Sequence, residues 1–387
     1  MKTNSILITV GLALSFLISP HILAEEETDE DKAYKKRVEL SKKIKAMRKL
    51  RRDMPVPPPS GLFGVYSLPK AGQFVAGVNF QNFSFSGLLH GSDSVSAETV
   101  ATTAPNIFFG NPMQPPTLRV IPESVEASVV FPFINYSITD ELALVSIMPV
   151  IKKKLVMETF MGGGGTTSLG KNTVNSSGIG DIKFGVLYTP YFEHDEKGER
   201  IHNLLFSAVM SAPTGSITEQ DTMLTPMNTQ PTARLAYGMQ LGTGTWDAML
   251  GVAYWGKSAN WGWGAQYMAT IPLETENDEG WCYGDKHEVT GWVSYSWDPT
   301  LNNSIRMRYE TQEDNEGLDP KIYGPGLGAN PANYGGDKTE IILGMNWMYD
   351  TGRNISLEFS IPVSQDRNGY QLEQDYSIMV SWRNAFF

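Results

Sequence analysis

The 387-residue chain has one cysteine, Cys282, so no internal disulfide framework can form. It has five histidines. The four beyond the first segment, His90, His194, His202 and His287, show no metal-ligand spacing. Basic residues are in deficit, with 31 Lys and Arg against 42 Asp and Glu. That balance argues against nucleic acid as a partner, which needs clustered cations to displace counterions. After residue 24 no apolar run approaches the ~20 residues of a bilayer-spanning helix, which excludes a polytopic helical membrane protein. There is no phosphate loop either. Gly162 to Gly165 is a four-glycine run with no following Lys-Ser/Thr. Disorder is excluded by the 41% hydrophobic and 11% aromatic content.

What is present falls into four segments. Residues 1–24 have a basic start at Lys2, an apolar run from Ile6 to Ile18, and Ala24 before an acidic stretch, the layout of a secretory signal peptide. Residues 25–54 place acids first and bases last, 11 bases against 8 acids, a polarity that complements a helix macrodipole. A periplasmic helix is expected there, with Val38, Leu40, Ile44, Met47 and Leu50 as a thin apolar stripe that could plug a pore or dock a periplasmic protein. Residues 55–71, opening with Pro55-Val56-Pro57-Pro58-Pro59, read as a linker. The remainder, 72–387, is strongly acidic overall.

From Gly72 onward the pattern has period two, as expected of strands with unlike faces. Apolar faces include Phe74 to Phe80, Val125 to Phe133, Ala233 to Leu241, Trp246 to Tyr254 and Ile355 to Ile361, taken at every second residue. The alternate faces carry Glu126, Lys183, Arg234, Arg306, Arg308, Glu310, Glu340, Glu358 and Arg383. Aromatic residues cluster at strand ends: Tyr188, Trp246, Tyr254, Trp297, Trp347, Tyr376 and Trp382. An apolar outside, a polar inside and aromatic girdles describe a transmembrane antiparallel β-barrel. The listed charges are then candidate lumen-lining residues and the aromatics candidate membrane-interface residues. Phe386 and Phe387 end the last strand and resemble the signal read by the bacterial outer-membrane assembly machinery.

The expected count is 12 strands, with 14 as the alternative. Tight turns are read at Thr139-Asp140, Gly242-Thr243-Gly244, Asp298-Pro299-Thr300 and Asp350-Thr351-Gly352. Long connections are read at 84–122, 158–178, 212–230, 313–337 and 363–372. The first of these, apolar at Ile107-Phe108-Phe109, is a candidate inward constriction. The stretch 244–285 breaks the alternation of short and long connections, placing one on the wrong side.

Four motifs occur in order: Gly178-Ile179-Gly180-Asp181, Ser211-Ala212-Pro213-Thr214-Gly215, Leu241-Gly242-Thr243-Gly244-Thr245-Trp246-Asp247 and Asn277-Asp278-Glu279-Gly280. Over residues 120–387 these resemble the outer-membrane barrel family named for the meta-cleavage pathway of phenol degradation. The resemblance implies a Gram-negative outer-membrane channel, embedded in outer-membrane lipid, that passively admits small solutes, hydrophobic or aromatic compounds among them. The alternative is a plugged structural barrel whose residues 25–54 dock a partner. An outer-membrane enzyme is the least supported reading. It would need Ser294 or Ser296 to meet His287, with no nucleophile-elbow context. No catalytic residue, cofactor or metal is expected. The acids Glu274, Glu276, Asp278 and Glu279 lack EF-hand spacing and read as a solvated loop.

Overall fold

The computed structural model describes residues 32–42, 56–65, 70–194 and 200–386. The signal segment, most of 25–54 and Phe387 lie outside the described residues. The chain divides into two units, residues 1–50 and 51–387. In the first, residues 32–42 form helix α1, exposed along its length apart from half-buried Val38.

The second unit is built on a sheet of long strands. They are β1 (Phe74–Gly91), β2 (Asp93–Val95), β3 (Val120–Ser137), β4 (Leu142–Ile147), β5 (Val150–Phe160), β6 (Ser168–Ile179), β7 (Lys183–His194) and β8 (Arg200–Ser211). After the small hairpin β9 (Gln220–Thr222) and β10 (Thr232–Arg234) come β11 (Asp247–Ser258), β12 (Trp261–Pro272), β13 (Trp281–Cys282) and β14 (Lys286–Ser296). The chain ends with β15 (Leu301–Gln312), β16 (Glu316–Gly317), β17 (Gly336–Asp350) and β18 (Arg353–Phe386). A short helix, α2 (Ala97–Thr103), follows β2 and is capped by the Ser96 hydroxyl accepting from the Thr99 amide.

β1 pairs antiparallel with β3 on one side and β18 on the other, which closes the sheet into a barrel. β18 is a hairpin. Its first half pairs with β17 and its second with β1, and the reversal falls at Asn368-Gly369. β4 and β5 are one pass interrupted at Met148-Pro149, and β6 and β7 are a second, facing pass with its own break. Among the described residues the sheet therefore crosses twelve times. Connections 138–141, 259–260, 297–300 and 351–352 are short and share one end, the turn end. Connections 92–119, 161–167, 212–246, 273–285 and 313–335 gather at the other, the loop end.

The misplaced connection has a simple cause. Ala233 to Leu241 alternates in sequence but does not cross: it holds β10 and a 3-10 turn at Tyr237–Met239, within the 212–246 loop. Gly242-Thr243-Gly244 accordingly lies at the loop end and is not a turn-end hairpin. With this stretch out of the count, every connection falls on its own side.

The pleat sorts side chains as a membrane barrel requires. Phe80, Leu144, Phe206, Leu250, Ile305, Leu343 and Ile361 are exposed on the outer wall. Tyr188, Tyr254, Trp297, Trp347 and Trp382 ring that wall toward the turn end, with Trp246 and Tyr376 toward the loop end. Phe386 stacks on Phe74 across the closing seam, ring centroids 4.4 Å apart. β3 departs from the expected phase. Phe133 faces Gly77 and Arg383 inside the barrel, so Val125 to Phe133 line the interior, and Val130, Pro132, Ile134 and Tyr136 face out. From Val129 to Ile134 both faces of β3 are apolar, so alternation alone could not set its phase.

The four motifs converge. One oxygen of buried Asp181 accepts from the Gly215 amide at 2.8 Å, the other from the Thr243 amide at 2.7 Å. Thr214 accepts from the Ile182 amide and donates to the Gly180 carbonyl. Asn277 donates to the Thr243 carbonyl. One carboxylate thus ties the break before β7 to both ends of the 212–246 loop. Asp181→Ala strands two amide donors and is expected to lower the unfolding free energy by about 1–3 kcal/mol, measured by urea titration of the folded barrel.

Candidate functional site

The barrel interior has two unlike walls. On β4, β7, β8 and β11 an apolar cluster faces inward: Ala143, Val145, Leu187, Leu205, Val209 and Ala253, joined by Trp292 of β14. On β14, β15, β17 and β18 they are ionic. Arg306 pairs with Glu358, Arg308 with Glu340 and Glu288, and Glu310 with Lys286 and Lys338. Lys338 also lies 3.6 Å from Glu340. Glu340 is fully buried and takes further hydrogen bonds from Ser360 and Gln374. Charges at this depth persist because each has a partner of opposite sign.

Between these walls lies the segment read as a linker. Val56 abuts Gly262 near the turn end. The Ser60 hydroxyl and the Gly61 amide both donate to one oxygen of Glu358, at 3.3 and 2.8 Å. Phe63 exchanges two hydrogen bonds with the side-chain amide of Gln266. Leu62 and Val65 bury themselves in the apolar wall. At Ala71 and Gly72 the chain is back at the turn end, bonded to Asp140 and Ser137. Residues 56–65 therefore lie in the lumen and contact both walls, with Val56 on one side of them and Ala71 on the other both at the turn end. A Cβ on Gly61 would displace the ends of the Glu358 and Arg306 side chains, and Gly64 holds φ +71° against Leu187.

Of the candidate lumen residues, Lys183, Arg306, Arg308, Glu310, Glu340, Glu358 and Arg383 face inward. Lys183 donates to Ser211 at 3.1 Å, and Arg383 lies over the Phe133 ring. Two candidates lie elsewhere. Glu126 shares the outer register of Ser128, because β3 is phased opposite to the expectation. Arg234 belongs to β10 in the loop-end cover. Missed by sequence reasoning were Ser60, Gly61, Leu62, Phe63 and Val65, and Gln266 which clamps them. The available signal was an apolar cluster between two glycines in a stretch otherwise marked as linker by its prolines.

The loops pack into that cover. Phe108, Tyr237, Trp281, Ile322 and Ala329 form its core. Phe108 thus joins it while Ile107 and Phe109 stay exposed. Leu235 and Met239 pack on Leu155, Met157 and Val174 below. Arg234 pairs with buried Asp319 at 2.9 Å and with Glu279, which Lys321 also binds. Burial pushes Tyr237 up to about 12, and Tyr283 and Tyr334 higher still, so all three stay neutral: Tyr237 accepts from the Asp319 amide, while Tyr283 and Tyr334 donate to backbone carbonyls. A cavity of about 960 Å³ opens among these loops, lined by Leu118, Glu313, Asp314, Asn333 and the stacked pair His90 and Tyr370.

Ser294 and Ser296 point inward near the turn end, while His287 faces outward near the loop end, hydrogen-bonded to Tyr267. Glu274 accepts from the Trp246 amide and Glu279 is ion-paired, so the acidic run is dispersed. Among the described residues no group of three or more His, Cys, Asp or Glu is placed to hold a metal.

Two outcomes are expected. Gly64→Val must adopt φ > 0 beside Leu187, a strain of about 1–3 kcal/mol that should loosen the seating of residues 56–65 and speed amide hydrogen exchange at Gly61 and Phe63 roughly ten-fold. The hydrogen bond from Lys321, with the charge of Arg234, holds Glu279 below the usual carboxylate range. Its stabilisation is therefore present above about pH 4 and lost as pH falls through the lower folded value. Pepsin should cut the 273–285 or 313–335 loop at about pH 2 but not at about pH 4.5.

No family model and no curated protein matches the sequence. Solved structures do. An outer membrane channel from Pseudomonas putida F1 is 14% identical with a TM-score of 0.54, covering 86% of this chain and 100% of that one. The toluene transporter TodX of Pseudomonas putida is 12% identical with a TM-score of 0.40, covering 82% and 91%. A Pseudomonas aeruginosa FadL homologue is 9% identical with a TM-score of 0.37, covering 81% and 89%. The first of these likenesses shows the fold: the chain is a closed outer-membrane-type β-barrel.

Proposed function

We propose that the protein is a passive channel of a Gram-negative outer membrane for small apolar solutes, aromatic ones among them, shut at rest by residues 56–65. The turn end is then periplasmic and the loop end external. The observation that carries the reading is the re-entrant segment. It is held by four polar hydrogen bonds and two buried side chains, a seat that can be exchanged without unpairing any strand. A lumen with no transport role has no need of a removable filling. The apolar wall supplies the path for an apolar body. The aromatic solute itself rests on the resemblance to the phenol-degradation family, and no catalytic chemistry is assigned.

A rival reading is a closed barrel that recruits a periplasmic protein through residues 25–54. The ion pairing of the charged wall favours it, since paired charges stiffen and fill the lumen. Deletion separates the two. Removing residues 25–65 should convert a nearly silent barrel into one with discrete openings in planar bilayers, while removing only 25–54 should leave conductance unchanged. Silence in both variants, with a folded barrel shown by heat-modifiable migration, would sink the channel reading.

A further inference from the structure

The contacts of the re-entrant segment describe a ligand. One oxygen of Glu358 is engaged by Arg306, and the other accepts only from Ser60 and Gly61 among the described residues. Glu358 is 4% exposed and Arg306 6%. The Arg306 Nε–H, equally buried, has no hydrogen-bond partner among the described residues. When residues 56–65 leave, Glu358 is left with an acceptor oxygen to fill and its partner Arg306 still has an unused donor, on a pair whose charges already cancel. Facing it is the apolar pocket vacated by Leu62 and Val65.

We propose that residues 56–65 occupy the solute's own site, and that the channel selects neutral apolar solutes bearing one hydroxyl group. This deepens the channel reading and rests on it. A hydroxyl donates to Glu358 and accepts from the Arg306 Nε–H, satisfying both. A hydrocarbon leaves the pair unsatisfied once the segment has gone. An ammonium adds an uncompensated charge to a neutral buried pair. The compact apolar body takes the place of Leu62 and Val65.

The test uses the full chain in liposomes, with Cys282→Ser and a reporter thiol at Leu62→Cys, a position buried while the segment is seated. Labelling by a membrane-impermeant maleimide is timed with cyclohexanol, methylcyclohexane or cyclohexylamine present. Cyclohexanol should accelerate labelling by about ten-fold or more, and the other two by less than about two-fold. In the paired variant Arg306→Met with Glu358→Met, which keeps side-chain bulk, cyclohexanol and methylcyclohexane should act alike. The single Glu358→Gln variant should narrow the preference if the paired variant fails to fold.

Equal acceleration by all three solutes in the parent protein overturns the proposal, as does no acceleration by any. Flux of the same solutes into the liposomes is measured in parallel. Flux without selective labelling sinks the hydroxyl site and leaves the channel standing. Absence of flux above protein-free liposomes sinks the channel reading itself.

Discussion

Everything in this molecule follows from the closing of one hydrogen-bond ladder, where β1 meets β18 as well as β3. Hydrocarbon offers no partner to an exposed backbone amide or carbonyl, so a sheet within it must have no edge. Closure creates an inside, and alternation then sends every second residue there. Inward charges are cut off from bulk water and must find one another, which the Arg306, Arg308, Glu340 and Glu358 pairs do. The inside also needs filling, and the chain uses its own residues 56–65 for that.

The pass formed by β4 and β5 and the facing pass of β6 and β7 are both broken at the same level. Beyond the break β6 has β5 on one flank and no barrel strand on the other. The 212–246 loop covers that flank: Ser176 donates to the Met239 carbonyl, and the Asn175 amide donates to Asp221. Asp181 is the fastening. Four weak motifs scattered over about 100 residues make sense as one contact, because Gly215 and Gly242 pass backbone against backbone where a Cβ on either would block the approach.

Most of the barrel was legible in sequence because strands with one wet and one greasy face announce their period. β15, β17 and the first half of β18 are of this kind, and their ionic inner residues fall where alternation puts them. β3 was misphased because from Val129 to Ile134 both of its faces are apolar, one toward lipid and one toward the lumen. Arg234 was misplaced because Ala233 to Leu241 alternates for a different reason, packing the loop cover. Residues 60–65 escaped because their partners lie about 80 to 300 positions away. Period and composition are local signals, and nothing local marks Glu358 as the seat of Gly61.

Both feet of the re-entrant segment stand at the same end of the barrel. It is therefore a ligand on a leash. An attached ligand competes at an effective concentration fixed by its tether, of millimolar order for short flexible links, whatever the amount of protein present. Dilution cannot wash it out, and a free competitor must exceed that threshold to hold the site. The length of chain between Val65 and Phe74 thus sets a concentration scale, and lengthening it would retune the barrel without touching a single contact in the lumen.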